Sequence, residues 1–258
     1  MRVALIQVEC NDTESVGNRI DRVLGETDRV IGEADFVVLP ELWNTGAFDL
    51  ASARHHAQPL DGDLVSRMAG IAQRHSTWLH GGSFTERADD GRFFNTSVLF
   101  GPDGSLEAVY RKIHVFGYGG EADLMSAGPE LVVANTPLGA TGLATCYDLR
   151  FPEQFRELTH QGALAFLITS GWPSARIHAW DVLVRARAIE DQAWVIACNQ
   201  VGLQRGVYLG GHSAVVDPIG EVISRASTEE TILSATVAPD AVARWRGEFP
   251  ALGDIVPF

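Results

Sequence analysis

The stretch Leu143-Ala-Thr-Cys-Tyr-Asp-Leu-Arg-Phe-Pro-Glu153 reads as a buried strand ending at Cys146, a polar break, and a helix entered through Pro152. Proline suits the first turn of a helix because its missing N–H has no intrahelical partner there. Outward from this junction the pattern repeats. A helix over 152–161 is followed by the apolar strand Leu164 to Ile168, a long helix from Ile177 to Gln192, and the strand Trp194 to Cys198. Strands that are apolar along their whole length, separated by helices, predict an α/β sheet covered on both faces.

The N-terminal half carries the same ingredients. Val3 to Val8 reads as a strand. A helix opening near Asn11-Asp12-Thr13 places Val16, Ile20, Val23, Leu24 and Ile31 on one stripe. Phe36 to Leu39 is a buried strand ending at Pro40-Glu41, and a helix over about 61–75 turns Leu64, Met68, Ile71 and Ala72 inward. Trp78-Leu79 and the run Phe93 to Phe100 follow. The turn Gly101-Pro-Asp-Gly104 then leads into Leu106 to Tyr110. A second Pro-Gly turn, Asp217-Pro-Ile-Gly220, joins Ala214–Val216 to Val222-Ile223, and both turns predict hairpins. No Ser/Gly/Pro linker divides the chain, so residues 1–258 are expected to form one α/β domain of two similar halves.

Composition narrows the function. At 258 residues, 46% hydrophobic and 21% charged, the chain is long and apolar enough for a sizeable core and is neither disordered nor fibrous. A net charge of -13 with no basic block argues against nucleic acid or an anionic membrane as partner. Three cysteines, an odd number in a long chain, suit reduced thiols rather than a disulfide framework. The opening MRVALIQVEC is too short in its apolar part for a secretion signal, and no run approaches the ~20 residues of a membrane span. A cytoplasmic protein is expected.

Three strand ends concentrate reactive groups. In Leu39-Pro-Glu41-Leu-Trp43 a carboxylate follows a buried strand; it is either a surface glutamate or, held by its apolar neighbours, a general base with a raised pKa. In Tyr110 to Glu121 cations, aromatics and glycines mix. This is either a solvated strand end or a fixed Lys112 with Glu121 folded back beside it. No dinucleotide or P-loop fingerprint occurs there. Cys146 sits where a strand meets a helix start, which is expected to lower its pKa and to supply an oxyanion site; the plainer reading is an inert buried thiol. Cys198, within Val195-Ile-Ala-Cys-Asn199, reads as core, and Cys10 as a strand end without catalytic neighbours. C-x-x-C and H-E-x-x-H are both absent, so a zinc site has no support, and His114 and His212 lack a Cys–His protease context.

Together the three segments, with Leu183-Val-Arg-Ala-Arg-Ala-Ile-Glu190, Asn199-Gln-Val-Gly202, Gly211-His-Ser213 and Val216-Asp-Pro-Ile-Gly-Glu221, resemble the nitrilase superfamily of carbon–nitrogen hydrolases over nearly the whole chain. The resemblance implies a four-layer α-β-β-α sandwich with internal pseudo-two-fold symmetry. It also implies a homodimer or larger assembly packed through helices such as Ile177–Gln192. On that helix Arg185, Arg187, Glu190 and Asp191 are expected to form structural ion pairs. It implies a catalytic triad of Glu41, Lys112 and Cys146, a second glutamate at Glu121, an oxyanion contact from the Tyr147 backbone, and no cofactor or metal.

Within the superfamily, Cys146-Tyr-Asp-Leu-Arg-Phe-Pro-Glu and Gly171-Trp-Pro-Ser-Ala-Arg176 resemble the short amidases that include ω-amidases, which release ammonia from 2-oxo-dicarboxylic acid monoamides. Trp172 would then wall the site and Arg176 anchor a substrate carboxylate, unless Arg176 merely caps the next helix. Arg150 is expected to pair with Glu153 or a nearby Asp. A nitrilase would carry Trp-Glu after the cysteine, and N-carbamoyl amino-acid or β-ureido acid hydrolases are longer. A catalytically silent binding module would have no need of Glu41, Lys112 and Cys146 together.

Overall fold

The computed structural model describes residues 1–256. Two six-stranded sheets face one another. The first contains β1 (Arg2–Gln7), β2 (Phe36–Val38), β3 (Trp78–Arg87), β4 (Phe93–Phe100), β5 (Leu106–Arg111) and β14 (Thr231–Thr236) in the order β14-β1-β2-β3-β4-β5. The second contains β6 (Val133–Thr136), β7 (Gly139–Thr145), β8 (Ala165–Thr169), β9 (Trp194–Cys198), β12 (Ala214–Val216) and β13 (Val222–Arg225) in the order β6-β7-β8-β9-β12-β13. Between β9 and β12 in the chain, β10 (Val201–Gln204) and β11 (Val207–Gly210) make a separate hairpin.

Read from β14 and from β6, the two sheets show the same series of pairings: antiparallel, parallel, parallel, antiparallel, antiparallel. That shared series is the pseudo-two-fold symmetry of the expected four-layer sandwich. By it β1 corresponds to β7 and β2 to β8.

Three apolar clusters build the layers. Val3, Leu5, Phe36 and Val38 of the first sheet meet Leu143, Leu167, Ile196 and Val215 of the second between the sheets. On the outside, α1 (Val16–Val30) and α3 (Asp63–His75) cover the first sheet through Ile20, Val23, Leu64 and Met68. On the opposite side α4 (Pro152–His160) and α5 (Ile177–Asp191) cover the second through Phe155, Leu158, Trp180 and Val184. The central strands are buried on both faces, which is why they read as continuous apolar runs.

Local boundaries moved by a few residues. Ser15, not the Asn11–Thr13 cluster, caps α1, its side chain accepting from Asn18 N. Asn11 Oδ1 instead accepts from Thr13 N and Glu14 N and shapes the turn before it. Both expected hairpin turns close, with Gly104 N donating to Gly101 O and Gly220 N to Asp217 O, each at 2.9 Å. The short helices α2 (Leu50–His55) and α6 (Ala241–Glu248) complete the chain. Among the described residues no helix is long and apolar enough to cross a membrane.

On α5, Arg187 pairs with Glu190, and Asp191 pairs with Arg156 at 3.0 Å, as structural ion pairs. Burial, opposed by Arg156, pushes the Asp191 carboxyl up to about 6. Arg185 departs from the expectation: its Nε donates to the Gly220 carbonyl at 2.9 Å, because the β12–β13 turn, not a carboxylate, lies beside it.

Candidate active site

The matched sheets bring the C-terminal ends of β2, β5, β7 and β8 to one place, and each end delivers one group. Glu41 follows β2 through Pro40, is buried, and is held from four sides. Lys112 Nζ donates to its Oε1 at 2.9 Å, Asn95 Nδ2 donates to the same oxygen at 2.8 Å, and Gly171 N donates to Oε2 at 2.8 Å. Gln200 Nε2 donates to its backbone oxygen. The bend that aims Glu41 is tight: Leu42 has φ 42°, and its N–H donates to Ser83 Oγ at 2.9 Å.

Lys112 follows β5, with its N–H fixed by Asn95 O at 2.9 Å. Its ammonium also donates to Glu121 Oε2 at 2.8 Å. Glu121 accepts from Asn95 Nδ2 at 2.8 Å and from Phe116 N at 2.7 Å, so the glycine loop does fold back as expected. Burial alone would strip the proton from Lys112. The carboxylates of Glu121 and Glu41 outweigh it and hold the ammonium well above its ordinary pKa.

Cys146 follows β7 in the left-handed region, φ 48°, and opens a short 3-10 turn over Cys146–Arg150. Asp148 fastens that turn. Its carboxylate accepts from Thr145 N at 2.8 Å, Tyr110 Oη at 2.7 Å and His114 N at 2.9 Å, and His114 Nδ1 lies 2.9 Å away. His114 stacks on Phe151 with centroids 3.7 Å apart. It is therefore a support for the turn and not a base.

The thiol corrects one expectation. Burial first, then the adjacent Glu41 carboxylate, push the Cys146 pKa well above the ordinary thiol value, while Lys112 and Ser170 pull the other way. A 3-10 start this short cannot offset desolvation and a neighbouring anion. The resting group is a thiol next to a carboxylate, so a base has to create the nucleophile. Cys198 is core as read, and Cys10, expected at a strand end, is buried in the core beyond β1; their Sγ atoms face Ile6 O and Trp43 O.

Cys146 lines a pocket with Phe48, Tyr147, Arg150, Trp172 and Arg176. Trp172 is buried, its N–H held by Asn199 Oδ1 at 2.6 Å and its indole Nε1 donating to Arg176 O at 2.8 Å. Arg176 occupies the N-cap position of α5 by its backbone alone. Its guanidinium carbon stands 5.6 Å from the Phe116 ring and 5.9 Å from the Tyr118 ring. Arg150 makes no pair with Glu153 or an Asp. Its guanidinium lies over Trp172 at 4.8 Å, because the 3-10 turn points it back across the pocket and away from α4. Among the described residues neither arginine has a carboxylate within 4.0 Å. Sequence reasoning missed Asn95, which holds both glutamates. Its signal was a polar Asn-Thr-Ser run inside the otherwise apolar Phe93 to Phe100.

The carbon-nitrogen hydrolase family model matches residues 2–247. The chain belongs to the carbon–nitrogen hydrolase family. Within that family it is 42% identical to a 2-oxoglutaramate amidase of Paenarthrobacter nicotinovorans, over 98% of this chain and 88% of the relative. It is 31% identical to an omega-amidase of Xenopus tropicalis, over 96% and 92%. A crystal structure of a superfamily protein from Xanthomonas campestris, bearing an arsenic adduct in its active site, superposes with a TM-score of 0.91 at 30% identity, over 100% of this chain and 98% of that one. The four-layer fold and the α/β class therefore stand, and this carbon–nitrogen hydrolase is an enzyme that cleaves carbon–nitrogen bonds other than peptide bonds.

Proposed function

We propose that the enzyme is an ω-amidase that releases ammonia from the terminal amide of a 2-oxo-dicarboxylic acid monoamide through a thioester on Cys146. The observation that carries this reading is the pocket itself. A thiol beside a buried glutamate–lysine–glutamate cluster is flanked by two guanidiniums with no carboxylate of their own. Both guanidiniums are half-buried on the pocket wall, and an anionic substrate group supplies the partner they lack.

Glu41 takes the Cys146 proton as sulfur attacks the amide carbon. Lys112 and the Tyr147 N–H receive the developing oxyanion. Glu41 then hands its proton to the leaving ammonia and activates the water that cleaves the thioester. Glu121 keeps Lys112 charged and in place, and the step sequence draws on no cofactor. Trp172 forms the apolar wall, and Arg176 holds the distal carboxylate. The chain acts as one domain over residues 1–258, works in the cytoplasm, and assembles as a homodimer or larger oligomer through α5, whose Val182 and Ile189 are exposed. Neither nucleic acid nor membrane is a partner.

An ammonia-release screen across ω-amides, neutral amides, N-carbamoyl amino acids and nitriles tests the reading. The 2-oxo acid amides should lead, and Arg176→Ala should raise their KM while sparing neutral amides. Neutral amides turning over as fast, or acidic ones unaffected by Arg176→Ala, would sink the carboxylate anchor. Substantial turnover by Cys146→Ala would sink the thioester.

A further inference from the structure

Ser170 is the first residue after β8, and Cys146 is the first after β7. The two strands run parallel, with Thr145 paired to Thr169 at their last register position, so the chain leaves both strands at the same level. Ser170 is fully buried, its N–H donating to Cys198 O at 2.8 Å. Its hydroxyl, however, has no hydrogen-bond partner among the described residues. An orphan hydroxyl in a protein interior costs about 1–3 kcal/mol, so a partner gained during the reaction is favourable. The next residue, Gly171, gives its N–H to Glu41 Oε2. Ser170 is thus fixed between the nucleophile's strand and the base.

The atom its hydroxyl can serve is the Cys146 sulfur. Placed just past the end of the neighbouring parallel strand, level with the thiol, it favours the ionised form, opposing both burial and Glu41. A neutral thiol accepts hydrogen bonds weakly. A thiolate accepts them well, so the bond strengthens as charge builds on sulfur.

We propose that Ser170 is a further catalytic residue, whose hydroxyl donates to the Cys146 sulfur as Glu41 removes its proton and so steadies the thiolate until it attacks. The proton passes from sulfur to the Glu41 carboxylate, and Ser170 keeps its own throughout. The donor would act again when the thioester is hydrolysed, as the C–S bond breaks and the electron pair returns to sulfur. Lys112 and the Tyr147 N–H address oxygen, whereas Ser170 addresses sulfur. The inference rests on Cys146 being the nucleophile.

The test is Ser170→Ala in the full-length enzyme, read by iodoacetamide alkylation of Cys146 against pH, by kcat and KM, and by the unfolding midpoint. One charge-assisted hydrogen bond predicts about a tenfold loss in kcat with KM within about twofold. The alkylation profile should move to higher pH, with the label confirmed on Cys146 by peptide mapping. A purely structural hydroxyl would shift the unfolding midpoint and leave that profile where it was, which would overturn the proposal. An unchanged kcat, or failure of the variant to fold, would overturn it too. If labelling instead misses Cys146 and Cys146→Ala retains turnover, the thioester mechanism itself falls, an outcome distinct from a wild-type profile in Ser170→Ala.

Discussion

Tyr110 donates its hydroxyl to Asp148 at 2.7 Å, and this bond ties the strand that leads to Lys112 to the turn that carries Cys146. Tyr110 lies on β5 of the first sheet and Asp148 in the 3-10 turn that follows β7 of the second, so the bond joins the two halves of the sandwich. Asp148 is fully buried, with His114 Nδ1 2.9 Å away, so each lost donor leaves part of its carboxyl group without a partner. Tyr110→Phe should therefore cost about 1–3 kcal/mol in urea unfolding and lower kcat, because the Cys146 turn loosens relative to Lys112. Unchanged kcat at an unchanged midpoint would show that the turn is held by Thr145 N and His114 alone.

Gly171 has no room for a side chain. A Cβ there would stand 2.4 Å from Ala47 Cβ and 3.5 Å from Glu41 Oε2, while its N–H holds that same oxygen. In Gly171→Ala the backbone must move away and the carboxylate loses a preorganised donor. The expected loss in kcat is on the order of 100-fold, the scale for removing one fixed donor from a catalytic charge. Steady-state kinetics with a folded-state check by circular dichroism decides it.

The sheets were legible because β2, β7, β8 and β9 are buried on both faces and so spell themselves as apolar runs. Glu41, Lys112, Cys146 and Glu121 were legible through a resemblance; the first three follow strand ends that meet, and Glu121 returns to them on the loop after β5. The rest depended on through-space relations. Trp78-Leu79 extends to Arg87 because β4 pairs with it, and the β10–β11 hairpin has no alternating pattern to announce it. Arg150 was assigned a partner by its sequence neighbours, yet a 3-10 turn sends its side chain the other way. The Cys146 pKa was expected from the helix start, and was decided by burial and by a glutamate 105 positions away in the sequence.

Arg150 should behave as a second anchor for anionic substrates. It lies over Trp172 at 4.8 Å, on the pocket wall, with no carboxylate partner among the described residues. Arg150→Gln keeps most of the stacking surface and removes the charge. It should raise KM for 2-oxo acid amides about tenfold, the worth of one charge-assisted contact near a solvated surface, and leave KM for neutral amides within about twofold. Equal effects on both substrate sets would make Arg150 a support for Trp172.

The buried thiols predict how stability falls in alkali. Burial pushes Cys10 up to about 12 and Cys146 and Cys198 higher still, each from an ordinary value of 9.0. Above pH 9 the unfolded chain releases these protons while the folded chain retains them, so the unfolded state binds fewer protons and gains. Stability is therefore fully present below about pH 9 and is lost progressively as pH rises towards the folded-state values. Each thiol contributes about 1.4 kcal/mol per pH unit in that window. The unfolding midpoint in urea, measured from pH 8 to 10.5, should fall with that slope. Cys198→Ala creates a small cavity at the inter-sheet core and lowers the plateau, but it should also flatten the alkaline limb by about one thiol's share while sparing turnover. If the limb keeps its full slope in Cys198→Ala and Cys10→Ala alike, the alkaline loss belongs to other groups, of which the buried Tyr110 phenol is the first to examine.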